Sequence, residues 1–201
     1  MKASQLAIIA GLLAAGSVSA APIQWTAAAG GNNHYYEYVL PNDDGIFGVS
    51  WDAARARASS ASHMGYIGYL ATITSAAEQS FILGNITDSR AWIGGSDAAS
   101  EGTWKWMDGP EAGDTLAYTA WAPGEPNNLG NEDYLVFSWN SNGVAGGWND
   151  LASANNLGYI VEYGGNGDPN DPSSAIPEPG TLLLLGAGLA GLGLRRRKGA
   201  A

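Results

Sequence analysis

Apolar and polar positions follow two different periods along this chain. "YYEYVL" (Tyr35–Leu40) is rich in aromatic and β-branched residues and predicts a strand. From Trp51 the spacing turns helical: Trp51, Ala54 and Ala58 share one face, and Ser50 stands ready as the N-cap. "LATITSAAEQSFILGNI" gives a short strand and then a second helix. There Ser75 and Glu78 form a capping box, with hydroxyl and carboxylate satisfying exposed backbone N–H groups. "AWIGG" (91–95), "TWKWMDG" (103–109), "YLVFSW" (134–139) and "LGYIVEY" (157–163) read as strands bounded by turns. From 109 to 131 the periodicity vanishes into Gly, Pro and Asn, over a length too great for a plain connection. Two early helices followed by many short strands predict an α+β fold, and the long irregular loop is where function is sought.

Both ends carry processing signals. Lys2, the apolar run "LAIIAGLLAAG" and the small residues of "SVSA" predict a secretory leader over 1–21, cut after about Ala20 or Ala21. Residues 22–163 form the domain, and the polar, Gly- and Pro-rich segment 164–176 is a linker. In 177–201, "PEP" precedes "GTLLLLGAGLAGLGL" and "RRRK", an apolar stretch closed by cations on the cytoplasmic side. This tail resembles the PEP-CTERM sorting signal. The resemblance implies contact with an exosortase, passage through the membrane by residues 181–194 before processing, and export. The expected destination is the cell surface, outer membrane or extracellular matrix of a Gram-negative bacterium.

Charge narrows the partners. All 19 acidic residues lie between Pro22 and Glu178, opposed there only by Arg55, Arg57, Arg90 and Lys105. No basic face is available for nucleic acid. Cysteine is absent, which removes thiolate metal sites and redox chemistry.

The acids concentrate where the periodicity fails. "GEPNNLGNED" (124–133) and "GGWND" (146–150) bring Glu125, Asn127, Glu132, Asn149 and Asp150 close in sequence with no Lys or Arg among them. Hard divalent cations take six to eight oxygens from carboxylates, amides and water, and these five side chains supply the right kind. The scarcity of His and the absence of Cys disfavour zinc and copper. Pro126 restricts the segment, and a cis bond there would turn both flanking side chains to one side. Glu125 and Glu132 could also be a glycosidase pair. A shared cation would depress both pKa values, however, and no nucleophile motif accompanies them.

"WIGG", "WKWMDG", "YTAWAPGEPNN", "NED" and "GGWND" stand in the order seen in C-type lectin domains. The resemblance covers about 33–163 and implies two helices packed on antiparallel sheets with a long calcium-binding loop. It implies Ca2+ held by Glu125, Asn127, Glu132, Asn149 and Asp150, with the Asp150 backbone carbonyl contributing as well. Glu125, Asn127, Glu132 and Asn149 would also bind the sugar, and the "EPN" order resembles lectins for mannose- or glucose-type glycans with equatorial 3- and 4-hydroxyls. Asp97, Glu101, Asn128 and Asp133 fall at an auxiliary calcium site, with Asn128 where an acid is usual. The family's disulfides would fall at Ala58–Val161 and Tyr134–Ser153, and none of the four is Cys. Apolar packing is expected to replace the outer bridge, and the ion to tether the loop in place of the inner one. Trp92, Trp104, Trp106 and Trp148 are expected in the core, Trp51 in helix packing, and His34 and His63 at the surface or in turns.

The function implied is exported, calcium-dependent carbohydrate binding without catalysis. The alternative is a calcium-stabilised adhesion or matrix-structural protein that binds protein.

Overall fold

The computed structural model describes residues 18–43, 46–139 and 145–165. The start of the leader, the linker from 166 onward and the tail, with its apolar segment 181–194, lie outside the described residues. Among the described residues no helix is long and apolar enough to cross a membrane.

Among the described residues, twelve strands and two α-helices follow the order β1 (Val18–Ser19), β2 (Ile23–Gln24), β3 (Tyr35–Leu40), β4 (Asn42–Asp43), β5 (Ile46–Phe47), α1 (Trp51–Ser60), β6 (Ser62–His63), β7 (Tyr66–Leu70), α2 (Ala76–Asn85), β8 (Ala91–Ser96), β9 (Lys105–Trp106), β10 (Tyr134–Phe137), β11 (Asn149–Leu151) and β12 (Gly158–Tyr163). β12 is the hub. It runs antiparallel to β3 (Tyr163 opposite Tyr35) and to β7 (Tyr163 opposite Gly68), and parallel to β8 (Gly158 opposite Ala91). β10 bridges β8 and β11, both antiparallel. β1 falls in the segment read as leader and pairs with Leu40 and Val39. Without it, β3 still pairs with β12 along its length and with β2 at its start.

Successive strand residues face opposite ways, and here both faces are covered. Ile93, Leu135, Phe137 and Ile160 pack on one side with Ile82 of α2. Their neighbours Trp92, Val136 and Val161 pack on the other with Trp51, Ala54 and Ala58 of α1. α1 starts at Ser50, whose Oγ accepts the Ala53 N–H at 3.3 Å. From α1, Arg55 reaches to Asp108, donating through Nε (2.7 Å) and a second guanidinium nitrogen (2.8 Å).

Close packing stands where the outer disulfide was expected. Ala58 and Val161 are buried in one cluster. A Cβ on Gly68 would come within 2.7 Å of both the Ala58 carbonyl and Val161 Cγ1. The inner pair is joined through the start of α1: Tyr134 lies 4.5 Å from the Trp51 ring, and the Trp51 N–H donates to the Ser153 carbonyl at 3.1 Å.

Two sequence expectations need adjustment. The capping box of Ser75 and Glu78 forms one residue out of step, with Glu78 serving the Thr74 N–H. The Ser75 Oγ accepts the Glu78 N–H at 3.1 Å, but the Glu78 carboxylate accepts from the Thr74 N–H (2.7 Å) and the Tyr36 hydroxyl (2.6 Å) and is only 1% exposed. His34 is not a surface residue. Its Nδ1 lies 2.6 Å from Glu162 Oε1, whose other oxygen accepts the Thr72 N–H at 2.9 Å. Tyr36 hydroxyl stands between the two acids, 3.0 Å from Glu162. Glu78 is pushed up to about 7, by burial first and by the Glu162 charge next. For His34 burial opposes the charged form, but the hydrogen bond and charge of Glu162 outweigh it, so its pKa is raised.

Candidate functional site

The irregular loop starts where the backbone of Trp148 joins that of 120–122. The Trp148 N–H donates to the Ala120 carbonyl (2.7 Å), and its own carbonyl accepts the Ala122 N–H (2.8 Å). The Glu125 N–H then donates to the Ala122 carbonyl at 3.0 Å. Two segments distant in sequence are thus set side by side just before their acids begin.

The Glu125–Pro126 peptide is cis, and the Asn127 side-chain amide donates to the Glu125 carboxylate across it. Asp150 joins the second segment to the first: its carboxylate accepts the backbone N–H of Asn127 (3.1 Å) and of Asn128 (2.7 Å). The Leu129 N–H is shared by Asn127 Oδ1 (2.8 Å) and Glu132 Oε2 (3.1 Å). Asn149 turns its amide nitrogen to the Asp150 carbonyl, and its Oδ1 is buried without a hydrogen-bond partner. Hydrogen bonds therefore link Glu125 to Asn127, Asn127 to Asp150, Asn149 to Asp150 and, through the shared Leu129 N–H, Asn127 to Glu132.

The carboxylates are held by backbone N–H groups and an amide, donors without net charge. Glu125 is pushed above the usual carboxylate range by burial and then by the neighbouring Asp150 charge. Glu132 is raised by burial, then by Asp150, and further by Glu125. Mutual repulsion and an orphaned amide oxygen mark a donor set suited to a hard cation.

A second group lies beside the first. Asp97, Glu101 and Asp133 each place one carboxylate oxygen within 4.8 Å of the others. Asp97 Oδ2 accepts the Gly102 N–H at 2.8 Å, while Oδ1 is buried and unpartnered. Burial raises the Asp97 pKa, and Glu101 and Asp133 raise it further against the Gly102 bond. Asn128, expected in this group, commits its Oδ1 to the Glu132 N–H at 2.7 Å. Of the tryptophans, Trp92, Trp104, Trp106 and Trp148 are buried as expected, and Trp121 packs edge-on against Trp104 (5.1 Å) and Trp148 (6.1 Å).

This architecture defines a C-type lectin-like domain. Residues 50–162, more than half of the chain, match the Lectin C-type domain family, and the chain belongs to that family. Residues 175–198 match the PEP-CTERM protein-sorting motif. Halomucin of Haloquadratum walsbyi is 33% identical over 171 residues, spanning 76% of this chain and 2% of halomucin. The hepatic lectin of Gallus gallus is 32% identical over 114 residues, covering 57% of this chain and 50% of that one. The chain thus spans at most half the length of these curated relatives. Among solved structures, the C-type lectin CEL-I from Cucumaria echinata aligns with a TM-score of 0.53 at 28% identity, covering 67% of this chain and 92% of its own.

Proposed function

We propose that the protein is an exported, calcium-dependent lectin. Glu125, Asn127, Glu132, Asn149 and Asp150 would hold the ion. Bound there, Ca2+ supplies open coordination positions that a pair of vicinal sugar hydroxyls can fill. Glu125 and Glu132 then accept hydrogen bonds from those hydroxyls, and the amides of Asn127 and Asn149 donate to them. The "EPN" order favours mannose- or glucose-type glycans with equatorial 3- and 4-hydroxyls. Asp97, Glu101 and Asp133, with the Asn128 region, would hold an auxiliary ion. Fold alone does not assign function; the observation that carries this one is the buried, unpartnered Asn149 Oδ1 beside Glu125 and Glu132, whose pKa values burial and the neighbouring Asp150 charge both raise.

The role is reversible binding rather than catalysis. A site with few contacts binds weakly, so several copies on a surface would be needed for avidity. The C-terminal sorting motif supports such a placement, at the cell surface or in exopolysaccharide after exosortase recognition. Relatives named as lectins support the carbohydrate partner. A glycan array with and without chelator tests the assignment. Mannose-type signals should vanish with chelator and with Asn127→Ala. Binding that survives both would point to a different site, and calcium uptake with no glycan signal would favour the adhesion-protein alternative.

A further inference from the structure

The two ion-site segments meet at Trp148, so whatever fixes Trp148 fixes their spacing. Its ring is wholly buried, and its backbone sets the entrance to the Glu125 loop, while the next two residues are Asn149 and Asp150. The hold on Trp148 comes from α2. Its indole N–H donates to Gln79 Oε1 at 2.9 Å, and the Gln79 amide nitrogen donates to the Gly146 carbonyl at 2.6 Å. Gln79 is 8% exposed, so water cannot readily replace either bond.

We infer that Gln79 is the positioning residue of the ion-binding loop, clamping the 146–148 turn so that Asn149 and Asp150 face the Glu125 segment. The inference rests on the calcium reading of that site. An amide is required, since one end must donate and the other accept. A carboxylate at 79 could still accept from Trp148 but would set an acceptor against the Gly146 carbonyl. The turn is shaped for the clamp. Gly146 has φ +79, a conformation L side chains rarely adopt, and a Cβ there would come 3.0 Å from the Gln79 amide nitrogen. A Cβ on Gly147 would come 2.8 Å from Ala122 Cβ. The turn therefore presses on the helix on one side and on the entrance of the Glu125 loop on the other. Trp148 also packs edge-on against Trp106, Tyr118 and Trp121, contacts that an exchange at Gln79 leaves in place.

The test uses the purified full-length chain with calcium alone as the probe, well below the melting temperature. Gln79→Met removes both bonds at similar volume; Gln79→Glu keeps one; Ser80→Ala, on the exposed side of α2, is the control. Calcium affinity should fall about tenfold in Gln79→Met, less in Gln79→Glu, and not at all in Ser80→Ala. Amide hydrogen exchange in chelator should speed up at 122–125 and 146–150 in Gln79→Met, while Tyr35–Leu40 and Gly158–Tyr163 stay protected. A purely structural residue would lower Tm and leave both readouts unchanged, and that result overturns the inference. Should Gln79→Met fail to fold, Gln79→Glu carries the same two readouts. Exchange in chelator decides the clamp even if the wild-type chain takes up no calcium, an outcome that would defeat the calcium reading separately.

Discussion

Asp150 accepts the backbone N–H of Asn127 at 3.1 Å, across 23 residues of chain. One bond thereby ties the end of β10–β11 to the turn after Pro126, and it places a second carboxylate beside Glu125. The loop is held by N–H donors without net charge, so the charges of its carboxylates are left uncompensated.

Replacing one of these acids by its amide separates the two effects. Glu132→Gln keeps an acceptor for the Leu129 N–H and removes a charge that Asp150 and Glu125 oppose. In chelator its Tm should match or exceed that of wild type. Calcium affinity should fall by about tenfold or more, the scale of a lost charged ligand contact of at least 1.4 kcal/mol. Calorimetry paired with melting in chelator checks both halves.

The start of α1 takes over the work of an inner disulfide. Trp51 packs its ring against Tyr134, donates its backbone N–H to the Ser153 carbonyl, and sends its indole N–H to the Ile93 carbonyl at 3.0 Å. Trp51→Ala should cost about 3–5 kcal/mol by denaturant unfolding. A loss under 1 kcal/mol would show that the join lies elsewhere.

Gly68 probes the packing at the outer position. With Ala58 O and Val161 Cγ1 each 2.7 Å from a Cβ placed there, Gly68→Ala must push β7 away from α1 or β12. A destabilisation of about 1–3 kcal/mol is expected, with calcium affinity unchanged, because the strain falls outside the loop.

The buried acids give a pH dependence whose sign is fixed. Glu78 titrates near 7 in the folded chain, above the ordinary carboxyl value, so its contribution is full below about pH 4 and is lost as pH rises through about 7. His34, also raised, adds stability that is full below about 6.5 and is lost above its folded value. Both make the protein less stable from pH 5 to pH 8. Glu78→Gln should flatten that slope by roughly 1–3 kcal/mol over the interval. An identical slope in wild type and variant would remove Glu78 from the account.

The sequence carried the site further than it carried the interior. Strands β3 and β12 and helix α1 were legible because their apolar spacing matched one period, and the oxygen cluster because no cation accompanied it. β11 was missed because Asn149 and Asp150 read as loop residues, yet they pair with Val136 and Leu135. The hairpin β6–β7 is short, and Gly65 and Gly68 interrupt its strand alternation. The His34–Glu162–Tyr36–Glu78 group was invisible for a different reason. Its bonds join residues 42 to 128 positions apart, and each residue has an ordinary local explanation, such as the cap suggested for Glu78. Gln79 was passed over in the same way, since an amide on a helix has no local signature.

The most direct test titrates calcium into the chelator-stripped protein by calorimetry, followed by a mannoside, with melting measured in parallel. Saturable calcium uptake should raise Tm, by about 5 °C or more when calcium exceeds its Kd a hundredfold, and the mannoside should give heat only once calcium is present. No heat and an unchanged melting curve in millimolar calcium would contradict the proposed ion site and the lectin function built on it.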